Sequence, residues 1–211
     1  MAGRTLIEIF DPRFSWVMTL LLILSFIALA LAIERLIFFG KRRRNVTKFF
    51  EKVKEVFNTK GKSGVIEMLD KDDSGYAHVT RVAFQNSDKR KEELEDLLMS
   101  EILKQRLRLE KFLGGLNTIG YVSPLLGLLG TVIGLIQAFM NIAISGEGGP
   151  AVVAEGVGVA LLTTEVGLII AIPVVYVYNY FNKKSADVVD EMDLLSRRLV
   201  ELIYSSKEQK A

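Results

Sequence analysis

The chain has 211 residues, of which 50% are hydrophobic and 25% charged, and its formal net charge is +2. With no cysteine and one histidine, disulfides, thiolate chemistry and cysteine-based metal sites are excluded, a zinc or di-iron centre lacks ligands, and the near-neutral balance makes no general case for nucleic acid. Charge is dense from Lys41 to Lys111, whereas Phe112 to Asn182 holds no Lys or Arg; membrane proteins separate charge in this way, because a charged side chain costs roughly 2.5–3.5 kcal/mol at the centre of a bilayer.

Residues 1–13 form a short N-terminal segment ahead of an apolar run at 14–40, which carries Glu34 and Arg35 near its end. A span needs about 20 residues, so this run is long enough to cross. It exceeds a signal-peptide core, and Lys41-Arg42-Arg43-Arg44 follows it in place of a small-residue cleavage site, so it is read as a retained transmembrane helix.

Residues 41–112 read as a helical domain. Val46, Phe49, Phe50, Val53, Val56 and Phe57 recur at helical spacing, and a shorter helix is expected from Gly64 to Leu69. Asp70 to Gly75 reads as a loop that mimics half a calcium site, but Arg81 stands where the bidentate Glu would be needed. His78 reads as a solvated surface residue. Lys89 to Phe112 is a charged helix expected to run unbroken into the next span.

The second and third spans are 113–144 and 151–182, joined by a turn of helix breakers at 145–150 whose Pro150 suits the first turn of a helix. The C-terminal helix, 183–211, carries Val188, Met192, Leu195, Leu199 and Leu202 in alternating steps of four and three, a heptad pattern. That pattern fits packing on the chain's own helices or self-association. Basic residues crowd 41–112 and follow the third span, whereas the turn has none. By the positive-inside rule, the N-terminus and turn are expected outside, in the periplasm, and 41–112 and the C-terminus in the cytoplasm. The expected architecture is therefore all-α, with three transmembrane helices and spans 2 and 3 extending into the cytoplasm as long helices.

Two features of the hairpin carry functional information. Gly120, Gly127, Gly130 and Gly134 form one small-residue stripe, and Gly156, Ala160, Thr163, Gly167 and Ala171 another. Such stripes let helix backbones approach closely in lipid, and two of them imply more partners than a single hairpin supplies. The polar set is Thr131, Thr163, Thr164 and Glu165, with Glu155 nearer the outside as a secondary acidic site. A threonine can satisfy its hydroxyl on the preceding turn. A glutamate halfway along a span is stronger evidence, since intramembrane carboxylates face a bundle interior, a water cavity or a proton path. Pro173, and Pro124 near the cytoplasmic entry of the second span, are expected to kink their helices or free a carbonyl.

Ser123-Pro124-Leu125-Leu126-Gly127-Leu128-Leu129-Gly130-Thr131-Val132-Ile133-Gly134 resembles the second-span motif of the MotA/TolQ/ExbB family. Ala160-Leu161-Leu162-Thr163-Thr164 with Gly167-Leu168-Ile169-Ile170-Ala171-Ile172-Pro173 resembles its third-span motif, and Ile33-Glu34-Arg35-Leu36 the end of its first span. Three spans favour the ExbB/TolQ branch over four-span MotA. The resemblance implies a pentameric pore in the bacterial inner membrane, around a dimer of single-span ExbD/TolR-like partners that bring an intramembrane Asp. It implies a proton channel or stator subunit that couples proton motive force to a TonB- or TolA-like protein and its transport work. Thr131 and Thr164 match the family's pore-facing threonines. The ExbB/TolQ glutamate before Ala-Leu-Leu is replaced here by Val159. Glu165 offers a carboxylate six residues later, but that is about 240° around the helix.

No cofactor is expected, and H+ is the expected coupling ion. A phosphate-binding loop, a nucleophile with its base and a metal set are all missing from the sequence, so no catalytic residue is assigned and an enzyme is the least favoured class. A solute transporter usually needs more spans and inverted repeats. The alternatives kept are a non-conducting membrane scaffold and a MotA-like stator for flagellar or gliding motility.

Overall fold

The computed structural model describes residues 12–40, 45–145 and 150–208. Among them every regular element is an α-helix: α1 Pro12–Gly40, α2 Val46–Leu69, α3 Gly75–Gln85, α4 Lys91–Glu110, α5 Leu113–Ser145 and α6 Pro150–Glu208. Among the described residues three stretches are long and apolar enough to cross a membrane: Trp16–Gly40, Leu113–Ile144, and the apolar part of Ala160–Ser206. The segments 1–11, 41–44 and 146–149 lie outside the described residues, and with them most of the expected N-terminal segment and turn. The chain divides into two compact units, one formed by residues up to Leu36 with Phe112–Phe181, the other by Ile37–Lys111 with the residues from Asn182 onward.

The first unit holds α1, α5 and the first half of α6. Its helices leave many of their largest apolar side chains exposed. Phe26, Leu125, Phe139 and Ile172 are each more than 60% exposed, an arrangement stable only against lipid or partner helices. Inside it, small or medium side chains fill the contacts: Ala28, Leu116, Ala160, Ala171 and Val174 are buried. Both α5 and α6 continue as helix through Pro124 and Pro173.

The second unit is a small helical cluster. Val53, Val65, Leu69, Phe84, Leu94 and Leu98 from α2, α3 and α4 meet Met192, Leu195 and Leu199 of α6, all at most 1% exposed. The heptad residues Met192, Leu195 and Leu199 are thus covered by the chain's own helices. The Phe57 and Phe84 rings pack at 5.1 Å. Within α2, Gly61 takes φ 67, ψ −162, a region open essentially to glycine alone, and splits the helix near the boundary expected between its two parts.

The expected loop ends one residue early, because Gly75 already begins α3. Ser74 caps that helix, its hydroxyl accepting from Ala77 N. Arg81 donates to the carbonyls of Leu69 at 2.7 Å and Asp72 at 3.4 Å, so its guanidinium satisfies the end of α2 and places a positive charge where a calcium loop needs a carboxylate. His78 is less free than the sequence suggests: its Nε2 lies 2.8 Å from Asp73 and 3.4 Å from Arg108 Nη1.

A further correction concerns the helix expected to run unbroken into the second span. It stops at Glu110, Lys111 turns out of the helix at ψ 134, and Phe112 adopts φ 68. A left-handed aromatic residue costs roughly 1–2 kcal/mol. Phe112 is held by Arg35, whose guanidinium carbon sits 5.5 Å from the ring centroid. The apolar periodicity is in phase across the junction, with Leu109, Leu113 and Leu116 all buried, so the break leaves no trace in the pattern.

Candidate functional site

The two small-residue stripes bring α5 and α6 together in antiparallel register: Gly120 faces Val175, Gly127 faces Thr163 and Thr164, and Gly167 faces Ser123. The approach is backbone to backbone. A Cβ at Gly127 would stand 2.8 Å from Thr163 O and Thr164 Cα, and one at Gly167 would stand 2.6 Å from Ser123 O. A Cβ at Gly130 would overlap the Thr163 side chain. Only glycine permits these contacts. Gly134 is buried on the same helix, and Ala160 is 1% exposed.

That register gives three neighbouring hydroxyls different surroundings. Thr163 is fully buried and donates across the hairpin to Gly127 O at 3.1 Å, while also lying 2.8 Å from Ala160 O in its own helix. Thr131 turns back onto Leu128 O at 2.7 Å. Thr164 Oγ1 is enclosed and has no hydrogen-bond partner. A buried hydroxyl without a partner costs about 1–3 kcal/mol, so Thr164 is set up for an acceptor or donor that this chain alone does not bring.

Glu165 is exposed. On the same side of α6 stand Leu161, Leu168, Ile172 and Tyr176, each 44% exposed or more. The spacing 161, 165, 168, 172, 176 is one helix face, so the carboxylate sits in the middle of an apolar stripe. Glu155, Gly156 and Val159 fall on α6, but their side-chain surroundings lie outside the described residues.

At the far end of the first span, Glu34 and Arg35 pair with each other, Arg35 Nη2 donating to Glu34 Oε1 at 2.7 Å. Arg35 is 1% exposed. Ser123 was not singled out in the sequence. It is fully buried, donates to Ile119 O at 2.7 Å, and its carbonyl lies under Gly167. The Ser-Pro pair was the available signal, since Pro124 leaves the helix short of one donor. No grouping of three or more potential metal ligands occurs among the described residues.

Three apolar helices among the described residues, a glycine-packed hairpin and polar groups at mid-span define a multi-pass membrane protein. The model of the MotA/TolQ/ExbB proton channel family matches residues 71–194, more than half of the chain, and the chain belongs to that family. Its similarities lie in the ExbB branch. It is 34% identical over 110 residues to the biopolymer transport protein ExbB of Xanthomonas campestris pv. campestris, covering 52% of this chain and 44% of that one. It is 41% identical over 103 residues to ExbB of Salmonella typhimurium, covering 46% and 42%. With biopolymer transport protein exbB1 of Vibrio cholerae it shares 48% over 82 residues, covering 38% and 36%. The chain spans less than half the length of these curated relatives.

Proposed function

We propose that this chain is the channel-forming subunit of a proton-driven energy transducer in the cytoplasmic, or inner, membrane. The observation that carries the reading is an exposed Glu165 next in sequence to the partnerless Thr164 hydroxyl at mid-span on α6. A mid-span carboxylate turned toward lipid is penalised by roughly 2.5–3.5 kcal/mol, so the Glu165 stripe faces other protein or a water-filled path. Family membership supports the same conclusion.

Glu165 alone is not a relay, which takes a series of titratable groups. A partner helix supplies the missing acid, in the manner of an ExbD/TolR-like dimer with an intramembrane Asp, and several copies of this chain, five by family resemblance, surround it. Thr131 and Thr164 line the route, Glu165 adds the chain's own carboxylate, and H+ is the coupling ion. The N-terminus and the turn between spans lie outside; 41–112 and the region from 183 onward lie in the cytoplasm. The work is passed to a TonB- or TolA-like protein. No cofactor and no enzymatic step enter this scheme.

The test is proton uptake into liposomes carrying the complex with its co-purified partner. Thr164→Val and Glu165→Gln should each reduce flux at least about tenfold while leaving the complex assembled. Flux that survives Glu165→Gln but not Thr164→Val removes Glu165 from the path. Flux unchanged in both leaves the chain as a non-conducting scaffold.

A further inference from the structure

A second site lies wholly within the helical unit formed by 37–111 and the residues after 182. A cavity of about 260 Å³ opens there, lined in part by Phe39, Tyr76, Gln105, Lys184 and Glu191. At about 30 Å³ per water it holds roughly eight water-sized groups, the scale of a small head group. Phe39 is the penultimate residue of α1, and Lys184 follows the apolar half of α6, so both belong to the zone where a span meets lipid head groups.

Its chemistry is dominated by acceptors. Gln105 is 3% exposed and lines the cavity; its amide nitrogen donates to Glu101 at 2.6 Å, which leaves its Oε1 as an acceptor. The Tyr76 phenol donates to Glu191 Oε2, leaving the other carboxylate oxygen of Glu191 without a hydrogen-bond donor among the described residues. Burial, then the hydrogen bond to Glu191, then its charge push the Tyr76 phenol above its ordinary pKa, so the phenol stays a neutral donor. Two carboxylates, Asp187 and Glu191, face one ammonium, Lys184, whose Nζ lies 5.4 Å from the Phe39 ring centroid. An anion alone would meet net repulsion. A primary ammonium has three N–H donors for Gln105 Oε1 and Glu191 and aromatic faces beside it, and the Lys184 side chain lines the same cavity, where its positive charge favours an attached anionic group.

We propose that this cavity binds a primary-ammonium zwitterion, the head group of an ethanolamine phospholipid or a soluble molecule of the same chemistry. The site does not depend on the proton-channel reading.

Choline lipids provide the control, because they carry the same charges but no N–H to give Gln105. The full chain is reconstituted in nanodiscs of mixed phosphatidylethanolamine, phosphatidylcholine and phosphatidylglycerol, and lipid retained on release is weighed by native mass spectrometry. Ethanolamine lipid should be retained over choline lipid by about tenfold, the worth of a hydrogen bond to a charged group. Gln105→Leu should abolish that preference. So should Gly75→Ala, whose added methyl would stand 2.9 Å from Met192 Sδ and 3.7 Å from Gln105 Oε1. Thermal stabilisation by free phosphoethanolamine, without retained ethanolamine lipid, assigns the site to a soluble zwitterion. Equal retention of ethanolamine and choline lipids by the unmodified chain, with no response to phosphoethanolamine, overturns the proposal, whatever the variants do.

Discussion

Thr163 and Thr164 are adjacent in sequence and opposite in role. Thr163 ties α6 to the backbone of α5, whereas the Thr164 hydroxyl ties nothing. Thr163→Val should therefore lower the thermal stability of the purified complex, by about 0.6–1.7 kcal/mol, the range for interhelical hydrogen bonds in membranes. Thr164→Val should leave stability unchanged or raise it, because an unpaired buried hydroxyl disappears. Thermal unfolding in detergent separates the two, and the opposite ranking would exchange their roles. Tyr76 carries a pH signature. Its phenol is held protonated by burial and by Glu191, so its folded pKa exceeds the unfolded value of about 10. Stability linked to this phenol is complete below that value and is lost as pH rises beyond it. Tyr76→Phe should flatten the alkaline limb of the stability curve, and ultraviolet titration should show one fewer late-ionising tyrosine.

The junction between α4 and α5 is decided by a single residue. Phe112 at φ 68 inverts the usual ranking of small residues. Inside a helix alanine is better than glycine by about 1 kcal/mol; here Phe112→Gly should be more stable than Phe112→Ala by about the same amount, because only glycine enters the left-handed region freely. Thermal melts of the two variants check the sign, and alanine winning would mean that the helix runs through. This element also marks the limit of the sequence. The spans were legible because long apolar runs with very few charges leave few other structures, and the glycine stripes were legible because small residues at steps of three and four have one main use in lipid. The Phe112 break was not, since its cause is a contact with Arg35 from another helix and the apolar phase continues across it. Helix α3 was missed although Tyr76, Val79, Thr80 and Ala83 keep helical spacing behind the capping Ser74, because its 11 residues sit between loop-forming segments. The resemblance separated Thr131 and Thr164 from Thr163, but not which hydroxyl finds a partner, because that depends on the register of α5 against α6, which no single-helix pattern contains.

The molecule as a whole presents surfaces that a lone chain leaves uncovered. On α4, Met99, Leu103 and Leu107 are 68%, 56% and 64% exposed and lie one turn apart on one face. This face lies in the unit formed by 37–111 and the residues after 182, and a charge placed on it tests whether copies of the chain meet there. Leu103→Glu should lower the mass of the native complex while leaving helix content by circular dichroism unchanged. An intact oligomer would place the contact elsewhere. Within the spans, the apolar stripe that contains Glu165 is exposed in the lone chain, and the proposed role of Thr164 and Glu165 requires that an assembly cover it.

Proton flux measured in liposomes for the chain alone, and then for the chain with its co-purified single-span partner, tests the central claim most directly. The account predicts a closed membrane with the chain alone and proton entry with the partner, lost in Thr164→Val without loss of assembly. Equal flux with and without the partner, or flux indifferent to Thr164 and Glu165, would contradict it.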